Sequence, residues 1–455
     1  MTTEHTEQKY SKEELIQKSK EPGLKAMKMH PFYQGKMQVL PRCEVRSFAD
    51  FGVWYSPGVA APCMDIYHHP EQVYLHTSKW NTVAVVSDGT RVLGLGDIGP
   101  EAGLPVMEGK ALLFKYLGGV DATPLCVGPD MSAEDIIQLV KWIQPTYGGI
   151  NLEDISKPKC FQVLDTLRKD PDVKIPVWHD DQQGTATVTV AGMLNAIKVV
   201  QKKKQDVRIV FNGVGASNFA IQRLLRTAGF DTKKALFVDS KGILYKDRPD
   251  LLDSTNYKFE IVQNSNPEQI QGLLAEALEG ADVLISLSQP GPGIILPEWV
   301  RKMADQPIIF ACANPIPEIF PWDAKEAGAV IVATGRSDFP NQVNNSIGFP
   351  GIFRGTLDVR ATTITDEMCI AAAEELAQYA EERGIHANYI VPTMDDTEVF
   401  IREAVAVGQK AIEQNIARIK LSEEEATAIA WKLITEAQDA TKMLMREGFI
   451  PRYQE

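Results

Sequence analysis

Two pairs of acidic residues each follow a short apolar segment near the middle of the chain. The first pair is Glu153 and Asp154, and the second is Asp180 and Asp181. If both segments are strands of one open α/β sheet, their carboxyl ends deliver the acids to the crevice in which such sheets bind ligands. Four carboxylates placed there suit a hard divalent cation or acid/base chemistry. The alternative is that they are solvated turn residues that cap the following helices.

The segments around these acids alternate between strand-like and helix-like patterns. Strand patterns occupy residues 82–90, 121–127, 149–152 and 173–178. A capping pattern at Ser132 opens a helix between the second and third of them. This order predicts parallel strands joined by right-handed crossovers. Residues 91–99 are predicted to form the hairpin partner of the first strand.

Two further side chains have positions that favour chemistry. Lys110 precedes the apolar helical run 111–117, so it is predicted to lie in the first turn of that helix. Partial burial there would lower its pKa and fit it for general base catalysis, whereas the alternative is an ordinary surface lysine. Tyr55 precedes a rigid Ser-Pro-Gly turn at 56–58. It is therefore interpreted either as an anchored aromatic residue or as a catalytic group.

A second α/β unit begins with the buried-type strand pattern 207–211. Two glycines, a helical pattern and a second strand ending at Asp239 follow in the order of a Rossmann unit. The third glycine of that motif is replaced by Asn218. Strand patterns at 282–286, 307–311 and 329–333 complete a predicted doubly wound sheet. The candidate cofactor-binding residues are Gly213, Gly215, Ala216, Ser217, Asn218, Asp239, Ser240, Lys241, Ser286 and Asn314.

Composition narrows the class of protein. The 455 residues suffice for several domains, and none of their apolar runs approaches the roughly 18 residues of a membrane span. A formal net charge of -13 disfavours nucleic acid or an anionic membrane as a partner. Six scattered cysteines and a start without a secretion signal indicate reduced thiols in a cytoplasmic protein.

Helical patterns lie at both ends of the chain. A capping box at Ser11 predicts an N-terminal helix that ends at Pro22-Gly23. The C-terminal third reads as helices at 368–382, 397–415 and 422–447. The apolar spacing of the last one predicts a core or subunit-contact face.

Taken together, these motifs resemble those of the malic enzymes, in particular the short bacterial type. The resemblance covers residues from about 37 to about 416. The segments that carry it are 55–60, 94–99, Gly109-Lys110, 151–154, 179–185 and Asn344-Asn345. The fold that it implies is a Rossmann-type doubly wound parallel sheet domain, an α/β catalytic domain and C-terminal helices. The implied boundaries are 1–179 for the malate-binding domain, 180–344 for the dinucleotide domain and 345–455 for the return to the catalytic domain.

The resemblance also implies roles for single residues. Glu153, Asp154 and Asp181 would hold Mg2+ or Mn2+, Lys110 would be the general base, Tyr55 the general acid, and Asp180 would support the base. The malate carboxylates would meet Arg91, Asn314 and Asn345, with Asn344 close by. The implied reaction is oxidation of malate by NAD or NADP, loss of CO2 and protonation of enolpyruvate to pyruvate, in a homodimer or higher homo-oligomer.

Several alternatives remain at this stage. A malolactic enzyme would keep its dinucleotide bound and release lactate, and a non-catalytic sensor of dinucleotide or malate would lack turnover. For the cofactor, Asp239 would repel a 2′-phosphate and favours NAD, whereas Ser240-Lys241 could bind that phosphate and favours NADP. The balance of these features predicts NAD.

Overall fold

The computed structural model describes residue 17 and residues 20–253 and 256–454. The predicted capping box at Ser11 lies outside them. The first helices are α1 (Glu21–Tyr33), α2 (Asp50–Trp54), α3 (Ala60–His68) and α4 (Val73–His76). The predicted end of the N-terminal helix at Pro22-Gly23 stays a prediction, because most of that helix lies outside the described residues. Pro22 itself lies in the first turn of the next helix, α1, where a missing N–H costs nothing.

The N-terminal stretch that contains these four helices buries no residue. None of the residues from 20 to 78 is buried, and Val39 and Phe48 expose 99% and 91% of their surface. Large apolar side chains exposed over so long a stretch mark an interaction surface.

The first sheet contains four parallel strands in the order β2-β1-β3-β4. The strands are β1 (Thr82–Ser87), β2 (Asp121–Cys126), β3 (Gly149–Leu152) and β4 (Val177–His179), and the helices between them are α5 (Pro100–Gly118), α6 (Ala133–Ile143) and α7 (Lys159–Lys169). Leu152 pairs with His179 in the register of β3 and β4. The acids that follow these two residues therefore leave the same edge of the sheet, as the sequence predicted.

Two local predictions for this region are wrong. Residues 91–99 form no strand; they make a glycine-rich turn closed by a single bridge between Val92 and Gly96. Helix α5 begins at Pro100, so Lys110 lies in its middle and not in its first turn. Pro105 lies inside this helix.

The second sheet has six strands in the order β10-β9-β8-β5-β6-β7, all parallel except the short β7. The strands are β5 (Ile209–Asn212), β6 (Leu236–Asp239), β7 (Gly242–Ile243), β8 (Val283–Ser286), β9 (Ile308–Ala311) and β10 (Ile331–Thr334). The helices from this region are α8 (Thr185–Val199), α9 (Ala216–Thr227), α10 (Phe259–Gln263), α11 (Leu274–Leu278), α12 (Pro297–Val300) and α13 (Pro321–Glu326). The strand order reverses at β5, which confirms the predicted doubly wound Rossmann-type sheet.

One apolar core joins the two sheets. Helix α8 is buried from Ala186 to Ile197. Its side chains share a cluster with Val83 of the first sheet and Phe211 of the second. Because α8 follows directly on the second acid pair, this packing fixes where the acids lie relative to both sheets.

The chain ends in four helices, α14 (Phe349–Asp358), α15 (Asp366–Glu382), α16 (Thr397–Glu413) and α17 (Glu423–Arg446). The three longer ones confirm the predicted C-terminal helices, and Ser422 forms a capping box at the start of α17. All six cysteines are free, and three of them are buried. Among the described helices, none combines the length and the apolar character that a membrane crossing requires.

Candidate active site

Three carboxylates meet where β3 and β4 end. Glu153, Asp154 and Asp181 each place an oxygen within 4.8 Å of the others. The backbone of Asp154 has a left-handed conformation, with φ of 55°, and its N–H donates to Oδ2 of Asp181 over 2.9 Å. Asp154 Oδ1 accepts the N–H of Leu93, whereas its Oδ2 is buried and has no hydrogen-bond partner in the described part of the chain. A strained residue with an orphaned oxygen indicates a site built to hold a ligand.

The electrostatics of this cluster favour a bound cation. Burial raises the pKa of Glu153 well above its usual range. Burial and the neighbouring charge of Asp181 raise the pKa of Asp154 to about 8. Carboxylates crowded in a desolvated site repel one another, and a divalent cation removes that cost. Oxygen donors without a cysteine or histidine ligand fit Mg2+ or Mn2+.

Lys110 lies beside this cluster. Its Nζ donates to Oδ2 of Asp180 over 2.5 Å and lies 3.0 Å from Oε1 of Glu153. It is also 4.4 Å from the centre of the Phe349 ring. Burial alone would lower the pKa of Lys110, but the attraction of Asp180 and Glu153 outweighs burial and raises it. The expectation of a lowered Lys110 pKa is therefore wrong for the protein without a bound cation. The sequence did not show that two buried acids lie beside the amine.

Asp180 is held from three sides. Its Oδ1 accepts the indole N–H of Trp178 over 3.1 Å, and its Oδ2 faces Lys110. Gly184 lies against the same carboxylate, because a Cβ there would come within 1.9 Å of Asp180 Oδ1. The glycine that follows the second acid pair is thus required for close packing.

The glycine turn after β5 has the features of a phosphate cradle. Gly213 has a φ of 97°, and a Cβ there would lie 2.5 Å from the carbonyl oxygen of Leu287. Gly215 precedes α9, a helix of 12 residues without a side-chain cap, and a Cβ on Gly215 would meet nothing within 4 Å. Ala216 begins that helix. Open space over an uncapped helix N-terminus fits a pyrophosphate.

The residues that follow the glycines support the turn and join it to the acids. The side-chain amide of Asn218 donates to the carbonyl oxygens of Asn212 and Gly213 over 3.0 and 2.8 Å. Asn218, which stands in place of the third glycine, thus fixes the turn by hydrogen bonds. Ser217 Oγ donates to the backbone oxygen of Asp181 over 2.8 Å. The predicted cofactor turn and the predicted metal site are therefore in direct contact.

Hydrogen bonds at the end of β8 fix the loops next to the glycine turn. Ser286 is fully buried, and its hydroxyl accepts from Asn212 over 2.9 Å and donates to Glu318 over 2.7 Å. Glu318 also accepts the backbone N–H groups of Ser288 and Ala313. Ser286 thus positions the neighbouring loops, whereas the partly exposed Ser288 lies at the edge.

Asp239 ends β6 and is surrounded by cations. Its carboxylate accepts hydrogen bonds from Arg248 over 2.9 and 2.6 Å and from Lys258 over 2.5 Å. Burial by itself would raise the pKa of Asp239, but these hydrogen bonds hold it well below its usual range. Ser240 and Lys241 follow directly and are exposed.

The side chains of the predicted malate-binding residues differ in whether they are free to bind a ligand. Asn314 and Asn345 are partly exposed, and no side-chain hydrogen bond engages either of them in the described chain. The amide of Asn344, in contrast, donates to Gly335 and accepts from Ser346, so it is engaged locally. Arg91 is exposed, and its guanidinium donates to the backbone oxygen of Leu93 over 3.1 Å.

Asn314 also marks a contact between the two sheets' loops. Its backbone oxygen lies so close to Gly94 that a Cβ there would come within 1.8 Å of it. Gly94 belongs to the turn after β1, and Asn314 follows β9. The two predicted halves of the site therefore touch at a glycine.

No hydrogen bond among the described residues connects the Tyr55 side chain to this carboxylate cluster. It lies after α2 with 74% of its surface exposed. Within the described residues, its hydroxyl makes no hydrogen bond, and no ion pair or hydrogen bond joins it to Lys110. It belongs to the N-terminal stretch that buries nothing.

The structure shows further residues at the site that the sequence analysis did not name. For only one of them, Asn151, could its position in the sequence have predicted the contact. Asn151 donates to Glu153 Oε2 over 2.8 Å, and its place two residues earlier on the same strand puts both side chains on one face. The others are Trp178, Glu318, Phe349, Arg248 and Lys258. They reach the site through tertiary packing, which a single sequence does not display.

Comparison with known proteins agrees with this geometry. The family model described as "Malic enzyme, N-terminal domain" matches residues 34–132, and "Malic enzyme, NAD binding domain" matches residues 182–412. The chain is 48% identical to a bifunctional malic/malolactic enzyme of Bacillus subtilis over 90% of its length and 97% of the relative's. It is 47% identical to an NAD-dependent malic enzyme of Geobacillus stearothermophilus, over 84% of this chain and 78% of that relative. Further relatives named NADP-dependent malic enzymes are 39% to 43% identical.

A solved structure matches over nearly the whole chain. The crystal structure of the Entamoeba histolytica malic enzyme is 47% identical and superposes with a TM-score of 0.94. The match covers 98% of this chain and 93% of that one. From the carboxylate cluster, the buried lysine, the glycine turn and these matches together, the chain belongs to the malic enzyme family.

Proposed function

We propose that this protein catalyses the oxidative decarboxylation of (S)-malate to pyruvate and CO2, with reduction of NAD or NADP and a requirement for a divalent cation. The observation that carries the proposal is the hydrogen bond from Ser217 to the backbone of Asp181. It supports the proposal because it joins the glycine turn, the candidate dinucleotide site, to the carboxylate cluster, the candidate cation site, and Lys110 lies beside that cluster. Hydride transfer and decarboxylation of one small acid need these groups together.

Lys110 takes the proton of the malate C2 hydroxyl as the hydride leaves C2 for the nicotinamide. Asp180 accepts a hydrogen bond from the same amine at 2.5 Å, so it orients the lysine and stabilises the ammonium that forms. Glu153, Asp154 and Asp181 would hold a divalent cation, which would supply a Lewis acid for the charge that develops when CO2 leaves. It would also offset the charges of Glu153 and Asp181, two of the carboxylates that raise the pKa of Lys110. Burial, which lowers a lysine pKa, would then be opposed mainly by Asp180.

Tyr55 donates a proton to C3 of enolpyruvate and completes pyruvate. The ion pair with Asp180 stabilises the ammonium form of Lys110, which makes this residue a poor proton donor. A separate hydroxyl therefore serves as the acid, while Lys110 serves as the base. Asn314 and Asn345 have free amides that suit the two malate carboxylates, and Arg91 adds a cation nearby.

The protein functions as a homodimer or a higher homo-oligomer in this proposal. The support is the stretch from 20 to 78, which buries none of its residues within its own chain. In a homo-oligomer, the partner that covers this stretch is a second copy of the same chain. Residues 1–179 and 345–455 form the catalytic part, with 180–344 as the dinucleotide domain. The contact between the Phe349 ring and Lys110 supports this division, because it shows that the chain after residue 344 packs against the catalytic part.

The test is to mix the full-length protein with (S)-malate, Mn2+ and either dinucleotide. Absorbance of the reduced nicotinamide and the amounts of pyruvate and lactate are measured. Reduced dinucleotide and pyruvate forming in equal amounts is the expected result. If malate remains unconsumed with both dinucleotides, the protein is a non-catalytic sensor and the proposal is wrong.

A malolactic reaction is the second candidate function. Its support is the 48% identity to the relative that is named for both reactions. In that case malate is consumed, lactate accumulates and no net reduction of the dinucleotide is seen. Measuring both products in the same reaction separates the two activities.

A further inference from the structure

Glu318 is a buried carboxylate that the proposed reaction does not use. None of its surface is exposed. Burial raises the pKa of Glu318, and hydrogen bonds to its carboxylate oppose that effect. Among the residues that the structure describes, no lysine or arginine forms an ion pair with it. A buried charge without a cation is costly unless hydrogen bonds satisfy it, so the donors that face Glu318 indicate its role.

These donors come from the loops after two neighbouring strands. Oε1 of Glu318 accepts the hydroxyl of Ser286 over 2.7 Å and the backbone N–H of Ser288 over 3.0 Å, both at the end of β8. Oε2 accepts the backbone N–H of Ala313, which follows β9, over 3.1 Å. Strands β8 and β9 are parallel neighbours. One carboxylate thus joins two loops at the edge of the sheet where such folds bind ligands.

The bond to Ala313 fixes the backbone directly before Asn314. The Asn314 side chain makes no hydrogen bond in the described part of the chain, but it is confined, because a Cβ on Gly335 would lie 2.8 Å from its Nδ2. On the other side, a Cβ on Gly94 would collide with its backbone oxygen. Asn314 is therefore placed by its backbone and by close packing, and its amide stays free for a ligand.

From this arrangement we infer that Glu318 is a positioning residue for malate binding: through the N–H of Ala313, it holds the amide of Asn314 in place for a malate carboxylate. This inference rests on the proposed function, in which Asn314 binds malate. An amide that is already held in place loses less freedom when the substrate binds, so affinity for malate depends on the loop.

Glu318→Gln is the variant that separates the two loops. A carboxylate accepts at both oxygens, whereas a glutamine side chain has one acceptor oxygen and one NH2 donor. We expect the oxygen to stay with Ser286 and Ser288, because two donors are satisfied there and one at Ala313. The NH2 group then faces the N–H of Ala313. Two donors cannot pair, so the loop that carries Asn314 is released.

The first test compares the full-length wild type and Glu318→Gln in malate turnover and, by calorimetry, in ADP binding. KM for malate should rise about tenfold or more with kcat within about threefold, because the lost interaction is made in the ground state and the transition state alike. ADP affinity should stay within about twofold, since the loop after β8 keeps its bonds. Equal weakening of malate and ADP would overturn the inference. Absence of turnover in the wild type would instead refute the proposed function.

Amide hydrogen exchange tests the same release without turnover. Peptides of Glu318→Gln that cover Ala313 should exchange about tenfold faster than those of the wild type, because their loop has lost its anchor. Peptides that cover Ser288 should exchange at the wild-type rate. Faster exchange in both loops, or in neither, would contradict the assigned role.

Asp358→Asn is the matched control, since it also turns a buried carboxylate into an amide. The Asp358 side chain is 4% exposed and pairs with Arg354, which in turn donates to Asn81 before β1, at the opposite edge of the first sheet. Its KM for malate should stay within about twofold of the wild type. If Glu318→Gln does not fold, Glu318→Asp takes its place, because it keeps both acceptor oxygens on a shorter side chain. An unchanged KM for malate in the variant that folds would overturn the inference.

Discussion

Lys110 donates a hydrogen bond of 2.5 Å to Asp180, and the two side chains are 7% and 0% exposed. The acid reaches the lysine across 70 positions of sequence, because β4 and α5 lie on either side of the same crevice. A buried pair of this kind costs desolvation and stabilises little, so we expect its value to lie in fixing the amine for the proposed reaction. The next residue along, Asp181, faces the carboxylate cluster instead.

The two adjacent aspartates are expected to respond differently to the same change. Asp181→Asn removes a proposed cation ligand and should abolish cation-dependent turnover while dinucleotide binding persists. Asp180→Asn should keep the cation and lower kcat by about 10^2 to 10^4, because the base loses its partner. Mn2+ binding is measured by electron paramagnetic resonance and turnover by absorbance. Unchanged Mn2+ affinity in Asp181→Asn would contradict the ligand assignment.

Tyr55 is predicted to act on the site of the partner subunit. It is 74% exposed and lies in the stretch that buries nothing in its own chain. Tyr55→Phe and Lys110→Ala should each lower activity by about 100-fold or more. When the two inactive proteins are mixed and allowed to exchange subunits, about a quarter of wild-type activity should return, since half of the dimers are mixed and each has one intact site.

Mixing each variant with itself is the control for that experiment. Neither should recover activity. If the mixture of the two variants also stays inactive after exchange is demonstrated by size or mass, Tyr55 and Lys110 of one site belong to the same chain.

Gly94→Ala is predicted to damage malate binding more than dinucleotide binding. A Cβ at this position would come within 1.8 Å of the Asn314 backbone oxygen, so the turn after β1 must move away from Asn314. We expect KM for malate to rise about tenfold or more while affinity for ADP stays within twofold. Gly109→Ala is the matched control, because a Cβ there would meet nothing within 4 Å. Similar effects of both substitutions would show that the contact has no special role.

Glu403 is predicted to make stability fall as pH rises. It is fully buried in α16, and neither carboxylate oxygen has a hydrogen-bond partner among the described residues. Burial, followed by the charge of Glu375, raises its pKa. The folded protein therefore keeps a proton that the unfolded chain releases above the ordinary glutamate pKa. Between these two pKa values, each unit of pH costs up to about 1.4 kcal/mol of folding free energy.

Glu403→Gln removes this proton linkage with little change in shape. Its stability advantage over the wild type, measured from urea unfolding at pH 5, 6, 7 and 8, should grow with pH. Glu326→Gln, at an exposed position of α13, is the control and should give a constant difference. An advantage for Glu403→Gln that does not change with pH would mean that the carboxylate is already ionised in the folded protein.

Sequence patterns sufficed for those features that depend on local order along the chain. Glu153 and Asp180 could be placed at one edge because they follow parallel strands, whose carboxyl ends coincide. The glycine turn at Gly213 could be recognised because its strand, turn and helix are contiguous.

Features that depend on distant partners could not be predicted. The pKa of Lys110 was expected to fall, yet Asp180 approaches it from 70 positions away and raises it. Asp239 was visible as an acid at the end of a strand, but Arg248 and Lys258, which donate to its carboxylate, come from a loop and a turn that carry no pattern. In both cases the charge of a residue was visible in the sequence and its neighbours were not.

In the proposed oligomer, the stretch from 20 to 78, which buries nothing in its own chain, would make catalysis depend on the concentration of the protein. For subunits that complete one another, assembly is second order in protein, so the assembled fraction rises with total concentration. On dilution, activity per milligram should then fall before any helix melts. A cell that makes little of this protein would obtain less than a proportional share of its activity.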